Sequence, residues 1–282
     1  MTALIFGLGV ALIWAVAAMT ASRSSRSIGT LPTLSWVMLT GIALAVPLAA
    51  LGGWPDDLDG GSIAWLALAG TMNVLGLGLS YAAFAKGHVG VVAALVSTEG
   101  ALAAVISVVD GERPGVLTLI ALAIVAGGVA LVALGQGTNA DGKKDTLGVA
   151  ILLALGAATV FAVTLFASGK AADAVPATWV ALPARLVGVT ALLAALPFGV
   201  RPGRFGKPVY WAIVTGVLEV CGLICFAFGA RDSIAVTSVV ASQFSALAAV
   251  LAFLLYRERL VKRQVFGIAA IAIGVGVVAG VA

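Results

Sequence analysis

The feature that most constrains this chain is a succession of apolar runs, each about twenty residues long, separated by short polar segments. The first run, from about Ala3 to Ala21, contains no charged residue. A helix needs about 20 mostly apolar residues to cross the hydrocarbon core of a bilayer. Only 10% of the 282 residues are charged and 62% are apolar, whereas soluble domains carry about 25% charged residues. The sequence therefore excludes a soluble enzyme and predicts an all-α membrane protein.

Apolar length and polar punctuation predict ten membrane-spanning helices. Their ranges are 3–21, 34–51, 63–84, 89–109, 115–134, 147–167, 177–197, 209–229, 234–255 and 264–281. The longest polar segment is 135–146, GQGTNADGKKDT, which we interpret as a cytoplasmic linker. It divides the chain into a first five-helix repeat, 1–134, and a second five-helix repeat, 147–282.

Lys and Arg are distributed unequally between the two sides of the predicted bundle. The loops after the odd-numbered spans contain twelve of them: Arg23, Arg26, Lys86, Lys143, Lys144, Arg201, Arg204, Lys207, Arg257, Arg259, Lys262 and Arg263. The opposite side contains three: Arg113, Lys170 and Arg231. Because cytoplasmic loops are enriched in Lys and Arg, we expect both termini to lie outside. We expect the membrane to be a bacterial inner (plasma) membrane.

An internal repeat is visible when the second half is placed on the first at an offset of 146 residues. The two halves then share G-x-x-[NE]-x-x-G, formed by Gly70, Asn73 and Gly76 in the third span and by Gly216, Glu219 and Gly222 in the eighth. The same offset matches Glu112-Arg113 with Glu258-Arg259 and Gly128-Val129 with Gly274-Val275, and an offset of 147 matches Trp14 with Phe161. Each repeat has an odd number of spans, so the second must be inverted. Inverted repeats are typical of secondary transporters, in which the substrate site lies near the midplane.

Several motifs at corresponding places in the two halves carry a family resemblance. They are LVSTEGALAAV from Leu95, GER at 111–113, RER at 257–259 and GIAAIAIGV from Gly267. These motifs resemble the repeated unit of the drug/metabolite transporter superfamily, EamA type. The resemblance implies an exporter of small metabolites, and the chain is most similar to exporters of aromatic and other neutral amino acids. It departs from the family at Glu99-Gly100, where Glu-Pro is common.

Polar residues at the centres of the predicted spans are the first candidates for a substrate site. Asn73, Glu99, Glu219 and Gln243 fall at span centres, and Arg185 lies about two residues from the centre of the seventh span. A charged residue at the bilayer centre costs roughly 2.5 to 3.5 kcal/mol, so we expect these side chains to face one another or a watery cavity. The alternatives are a structural ion pair for the charged residues and interhelical hydrogen bonds for Asn73 and Gln243.

Aromatic residues inside the spans are the second group of candidates. Trp14 and Phe161 are related by the repeat, and Tyr81 lies in the third span. In an inverted fold Trp14 and Phe161 approach one central cavity from opposite directions. The alternative is that they pack against neighbouring helices or lipid.

One cation and two carboxylates near the midplane suggest a zwitterionic substrate. The ammonium of an amino acid would match Glu219 or Glu99, and Arg185 would hold its carboxylate through a two-pronged contact. The side chain would lie against Trp14 or Phe161. Transport would run down the substrate gradient, with proton antiport through a glutamate as the competing mechanism.

Other functions receive less support from the sequence. The alternative to amino-acid export is a proton-coupled drug transporter or a transporter of nucleoside-type or sugar-type metabolites. A membrane-embedded enzyme is disfavoured because the chain has no G-x-S-x-G and no H-E-x-x-H. Neither a cofactor nor a metal is expected, since His88 is the only histidine, and Cys221 and Cys225 are most simply packing residues. We expect a small-molecule substrate and the lipid bilayer as partners and no nucleic acid, and the sequence leaves open a monomer or a homodimer.

Overall fold

A computed structural model describes residues 1–55, 58–111, 116–117, 120, 124, 127–128, 144–203, 205–256 and 262–281. The described chain is helical, with no strand within these ranges. Its α-helices are α1 (Thr2–Ile28), α2 (Thr30–Leu51), α3 (Gly60–Lys86), α4 (Val89–Val96), α5 (Glu99–Val109), α6 (Lys144–Ala172), α7 (Leu182–Ala195), α8 (Lys207–Ala230), α9 (Ile234–Ala241), α10 (Phe244–Tyr256) and α11 (Lys262–Val281). Short 3-10 helices at Ala177–Trp179 and Leu196–Phe198 flank α7.

The predicted all-α membrane class is confirmed. Within the described ranges, seven segments are long and apolar enough to cross a bilayer: Thr2–Ile28, Thr30–Leu51, Gly60–Lys86, Val89–Val109, Gly148–Ala172, Ala177–Phe198 and Lys207–Ala230. The ninth and tenth predicted spans correspond to α9 with α10 and to α11. Most of the fifth span (115–134), linker residues 135–143, Glu112-Arg113 and Glu258-Arg259 lie outside the described residues. The last three linker residues belong to α6, which begins at Lys144.

Large apolar side chains cover the outside of the bundle. On α1, Ile5 and Leu12 are 62% and 60% exposed, whereas Val10 and Ala11 on the other face are fully buried. Exposed large apolar residues occur on other helices as well, including Leu152, Leu186 and Phe266. A continuous apolar exterior of this kind fits a lipid environment, where exposed apolar groups are not penalised.

The predicted fourth and ninth spans are each interrupted at their centres. In the fourth, Ser97 and Thr98 separate α4 from α5, and in the ninth Ser242 and Gln243 separate α9 from α10. At the breaks the backbone forms tighter three-residue hydrogen bonds, because Thr98 N donates to Leu95 O at 3.3 Å and Gln243 N to Val240 O at 3.1 Å. The helix is therefore interrupted next to Glu99 without the proline that is common in the family.

The two repeats pack against each other through two pairs of helices, and the sequence repeat relates one pair to the other. Helix α1 packs along α8, and α3 packs along α6. A Cβ placed on Gly70 would lie 2.7 Å from the carbonyl carbon of Pro183, and one placed on Gly216 would lie 2.9 Å from Val37 O. Gly216 follows Gly70 by 146 residues, and Pro183 follows Val37 by the same 146. The close contacts of the two halves thus obey the sequence repeat. Pro183 stands in the first turn of α7, where proline starts a helix without kinking it.

Two arginines join helix ends on opposite faces of the bundle. Arg26, near the end of α1, donates from Nε to Phe84 O at 3.0 Å and from Nη2 to Gly87 O, at the end of α3. Arg231, just after α8, donates to Ala172 O at 2.8 Å and to Val175 O at 2.7 Å, at the end of α6. We call the face at which α1 and α3 end the basic face, and the face at which α6 and α8 end the opposite face.

On the opposite face, several contacts connect the two repeats. The Nζ atom of Lys170, near the end of α6, forms an ion pair with the carboxylate of Asp110, just after α5. Trp179 Nε1 donates to Gly53 O at 2.9 Å. The backbone N–H of Ala3 donates to Asp232 Oδ2 at 3.1 Å. These contacts hold the two halves together on this face.

Asp59 caps the start of α3, and its removal should lower stability. Its Oδ1 accepts a hydrogen bond from Ser62 N at 2.7 Å, and hydrogen bonds from the side chain and the backbone of Ser62 hold the pKa of the Asp59 carboxyl below its usual value. The cap contribution is therefore present above the usual pKa of about 3.8 and is lost as the pH falls through the lowered folded value. We expect Asp59→Ala to lower the melting temperature at neutral pH by about 2 °C and Asp59→Asn to preserve it. Equal melting temperatures for Asp59→Ala and wild type would contradict this role.

Candidate functional site

A cavity lies at the centre of the bundle, between α1, α3, α6 and α8. The centre of a water-sized sphere can occupy about 50 Å³ of it, which is room for several water molecules. Aromatic residues form much of its wall: Trp14, Tyr81, Phe84, Phe161 and Phe244. Polar side chains also line it: Asn73, Ser80, Glu99, Thr164 and Glu219. The cavity extends along the second halves of α1 and α3, as far as Ala21 and Phe84, and so reaches toward the basic face.

Six of the eight predicted site residues meet in this cavity: Trp14, Asn73, Tyr81, Glu99, Phe161 and Glu219. Residues of one helix share the cavity because an α-helix places residues three and four apart on the same face. Asn73, Leu77, Ser80 and Phe84 follow one another at intervals of four, three and four residues and all line the cavity, as expected for one face of α3. The same spacing could have identified Ser80 and Phe84, which the sequence analysis missed.

Arg185 does not line the cavity, contrary to the expectation that it faces the substrate. Its side chain is fully buried between α7 and α2, where a Cβ on Gly41 would lie only 2.5 Å from Arg185 Cδ. Its Nη1 lies 3.7 Å from Met38 Sδ, and within the described chain its Nε and Nη2 have no hydrogen-bond partner. The absence of a side chain at Gly41 lets the long arginine lie along α2. The position of Arg185 along its helix could be predicted from the sequence, but the direction of its side chain could not.

Gln243 also points away from the cavity. Its Nε2 donates to Ala272 O of α11 at 3.1 Å. It therefore forms an interhelical hydrogen bond, the alternative that the sequence analysis left open. The bond joins the break between α9 and α10 to the neighbouring helix.

Two carboxylates share the cavity without a cation in direct contact among the described residues. Glu99 is 4% exposed and begins α5 at the helix break, and Glu219 is half-buried on α8. Both side chains line the same cavity. Like charges close together in an apolar cavity repel, and a proton or a bound cation relieves that repulsion. The site is thus suited to receive a positively charged group.

Three buried polar atoms in the cavity wall have no hydrogen-bond partner within the described chain. They are Trp14 Nε1, Asn73 Oδ1 and the Tyr81 hydroxyl. Trp14 is fixed by ring contacts, stacked on Phe226 with centroids 6.4 Å apart and edge-on to Phe244 at 6.3 Å. A buried donor or acceptor without a partner costs roughly 1–3 kcal/mol. A ligand with matching polar groups, or water, would recover that cost.

Interlocked repeats around a central cavity that contains two carboxylates are the architecture expected of a membrane transporter. The model of the EamA-like transporter family matches residues 1–134 and 148–280, and the chain belongs to that family. The family resemblance noted in the sequence is therefore confirmed. A solved crystal structure aligns with a TM-score of 0.73 at 16% sequence identity, covering 100% of this chain and 99% of that one. That likeness concerns the fold alone. No curated protein matches the sequence significantly.

Proposed function

We propose that this transporter exports small metabolites, namely amino acids with neutral or aromatic side chains, across a bacterial inner membrane. The observation that supports this proposal is the central cavity, which combines the carboxylates of Glu99 and Glu219 with a wall of aromatic rings. The substrate ammonium binds Glu219 or Glu99, and its side chain packs against Trp14 or Phe161. Both termini lie outside, an orientation supported by the concentration of Lys and Arg on the basic face.

The substrate carboxylate requires donors other than Arg185. Trp14 Nε1 and the Tyr81 hydroxyl can donate and have no partners in the described chain. Arg185 lies outside the cavity lining, fully buried against Gly41 and Met38. The ammonium of an amino acid thus binds a carboxylate of the cavity, and its carboxylate accepts hydrogen bonds from Trp14 Nε1 and the Tyr81 hydroxyl.

Proton antiport is the second candidate mechanism, and the presence of two carboxylates in one cavity favours it. Two carboxylates line the cavity, and one of them can hold either a proton or the substrate ammonium. Exchange of the two would couple export to proton entry. Facilitated diffusion down the substrate gradient requires no such exchange.

The test is uptake of labelled amino acids into liposomes that contain the purified protein, with and without an imposed pH gradient. We expect phenylalanine and other neutral amino acids to enter faster than in empty liposomes. Accumulation above the external concentration with a pH gradient alone would identify proton coupling, and equilibration without accumulation would identify facilitated diffusion. Failure to transport any amino acid, with transport of another metabolite, would contradict the proposed substrate class.

Alternating access requires the contacts on the opposite face to separate. A covalent bridge in place of the Asp110–Lys170 ion pair should therefore stop transport. We expect Asp110→Cys with Lys170→Cys, in a Cys221→Ala, Cys225→Ala background, to lose at least about nine-tenths of its uptake on oxidation and to regain it on reduction.

The matched control is a bridge within the first turn of α3. It is made by Asp59→Cys with Ser62→Cys in the same background. Asp59 and Ser62 are already hydrogen-bonded to each other, so a bridge there restricts no movement between repeats. Full transport by the oxidised 110/170 pair would show that this face does not open.

A further inference from the structure

The cavity wall repeats itself in the two halves of the protein. A Cβ on Gly76 of α3 would lie 2.6 Å from Cδ1 of Phe161. A Cβ on Gly222 of α8 would collide with Nε1 of Trp14. Gly222 follows Gly76 by 146 residues, and Phe161 follows Trp14 by 147. The two contacts are therefore equivalent: in each, a glycine of one repeat meets an aromatic ring of the other repeat.

A polar side chain accompanies each of these contacts. Asn73 precedes Gly76 by three residues on α3, and Glu219 precedes Gly222 by three on α8, so each polar residue lies one turn from its glycine on the same side of its helix. Both polar residues and both rings line the cavity. We call Trp14, Glu219 and Gly222 the charged half-site, and Phe161, Asn73 and Gly76 the neutral half-site.

The two half-sites share a geometry and differ in chemistry. The charged half-site offers a carboxylate and the indole N–H of Trp14, which has no partner within the described chain and can only donate. The neutral half-site offers an amide and a phenyl ring that has no polar atom. A ligand that spans both is held at one end by charge and hydrogen bonds and at the other by apolar contact.

We propose that this difference between two equivalent half-sites fixes the orientation of the substrate, with its ammonium at Glu219 and its apolar group at Phe161. The inference rests on the proposed function and adds which end of the molecule each half-site selects. It also implies that the orientation can be reversed by substitution. A carboxylate moved from position 219 to the equivalent position 73 should bind the same ammonium in a reversed pose.

The reversal has a direct test in binding to purified protein, with phenylalanine as the probe. We expect Glu219→Gln to weaken phenylalanine binding by at least about thirtyfold. The double variant Asn73→Glu, Glu219→Gln should recover most of that loss, to within about fivefold of wild type. Rescue from a site on the other repeat is not expected if Glu219 acts only as a structural residue. A double variant with the wild-type melting temperature that binds as weakly as Glu219→Gln would overturn the proposal.

A second measurement uses single variants only. Phenylalanine and alanine differ only in the phenyl ring, so the ratio of their affinities measures how strongly the protein binds that ring. We expect Phe161→Ala to reduce this ratio by about tenfold, and Glu219→Gln to weaken both ligands while leaving the ratio within about twofold. An unchanged ratio in Phe161→Ala, or a collapsed ratio in Glu219→Gln, would overturn the assignment of the two ends.

These results separate the proposal from the proposed function. Wild-type protein that binds neither amino acid contradicts both. Wild-type binding and transport without rescue, or with the reverse pattern of ratios, contradicts the orientation alone.

Discussion

Replacement of Glu219 by glutamine should reduce amino-acid transport into liposomes by at least about thirtyfold. The side chain lines the central cavity, and a buried charge pair that loses one member typically costs 2–5 kcal/mol. Glutamine preserves the size and shape of the side chain, so the loss reports the charge itself. The reduction should appear as a weaker apparent affinity for the amino acid.

Two variants control this experiment. Glu219→Asp keeps the charge and should retain more transport than Glu219→Gln. Asp173→Asn removes an exposed carboxylate beyond α6 and should transport at the wild-type rate, because surface charges far from the cavity contribute little. Wild-type transport by Glu219→Gln would exclude Glu219 from the binding of the substrate ammonium.

Gly100→Ala should strongly destabilise the protein, although it adds only one methyl group. A Cβ at position 100 would collide with Ser242 Oγ and with the backbone carbonyl oxygen of Ser238. A backbone atom cannot turn aside as a side chain does, so α5 and α9 must separate. Overpacking of a close-packed interface costs about 1–3 kcal/mol, and we expect the upper part of that range in thermal unfolding of the detergent-solubilised protein.

Gly148→Ala is the matched control, because Gly148 also lies within a helix, α6, and a Cβ there meets no atom within 4 Å. Alanine is favoured over glycine in helices by up to about 1 kcal/mol, so this variant should be as stable as wild type or more stable. Equal melting temperatures for Gly100→Ala and Gly148→Ala would show that the interface between α5 and α9 accommodates the methyl group without loss of stability.

The close approach at Gly100 also explains the departure from the Glu-Pro common in the family. Proline carries a Cβ and would meet the same atoms of α9. The helix break that proline would provide is present nonetheless. At the break, Thr98 Oγ1 donates to Leu95 O at 2.8 Å and Ser97 Oγ to Ala94 O at 2.9 Å, and such hydroxyl contacts to the preceding turn bend helices.

The position of polar residues along each helix could be predicted from the sequence, because hydrophobic length places each residue within its span. Asn73, Glu99 and Glu219 were placed at the centre in this way, and all three line the cavity. The repeat supplied the second piece of information, since the match of Trp14 with Phe161 predicted that both rings approach the same space.

Direction around the helix axis was the part that the sequence could not supply. Arg185 and Gln243 lie at the same depth as the cavity residues, yet one packs against Gly41 and the other bonds to α11. In a helix that is apolar on all sides, hydrophobic periodicity does not distinguish the lipid face from the protein face. Only the contacts of the neighbouring helices decide it.

The arginine contacts at the helix ends have a mechanical consequence. Arg26 fastens α1 to α3 at the basic face, and Arg231 fastens α8 to α6 at the opposite face. Each pair of helices therefore has a pivot at one end, and the pivots of the two pairs lie on opposite faces of the bundle. A rotation about either pivot spreads the helices at the far end and leaves the fastened end in place. A carrier that opens alternately on its two sides needs a fixed contact at whichever end stays closed, and these two arginines provide one for each pair of helices.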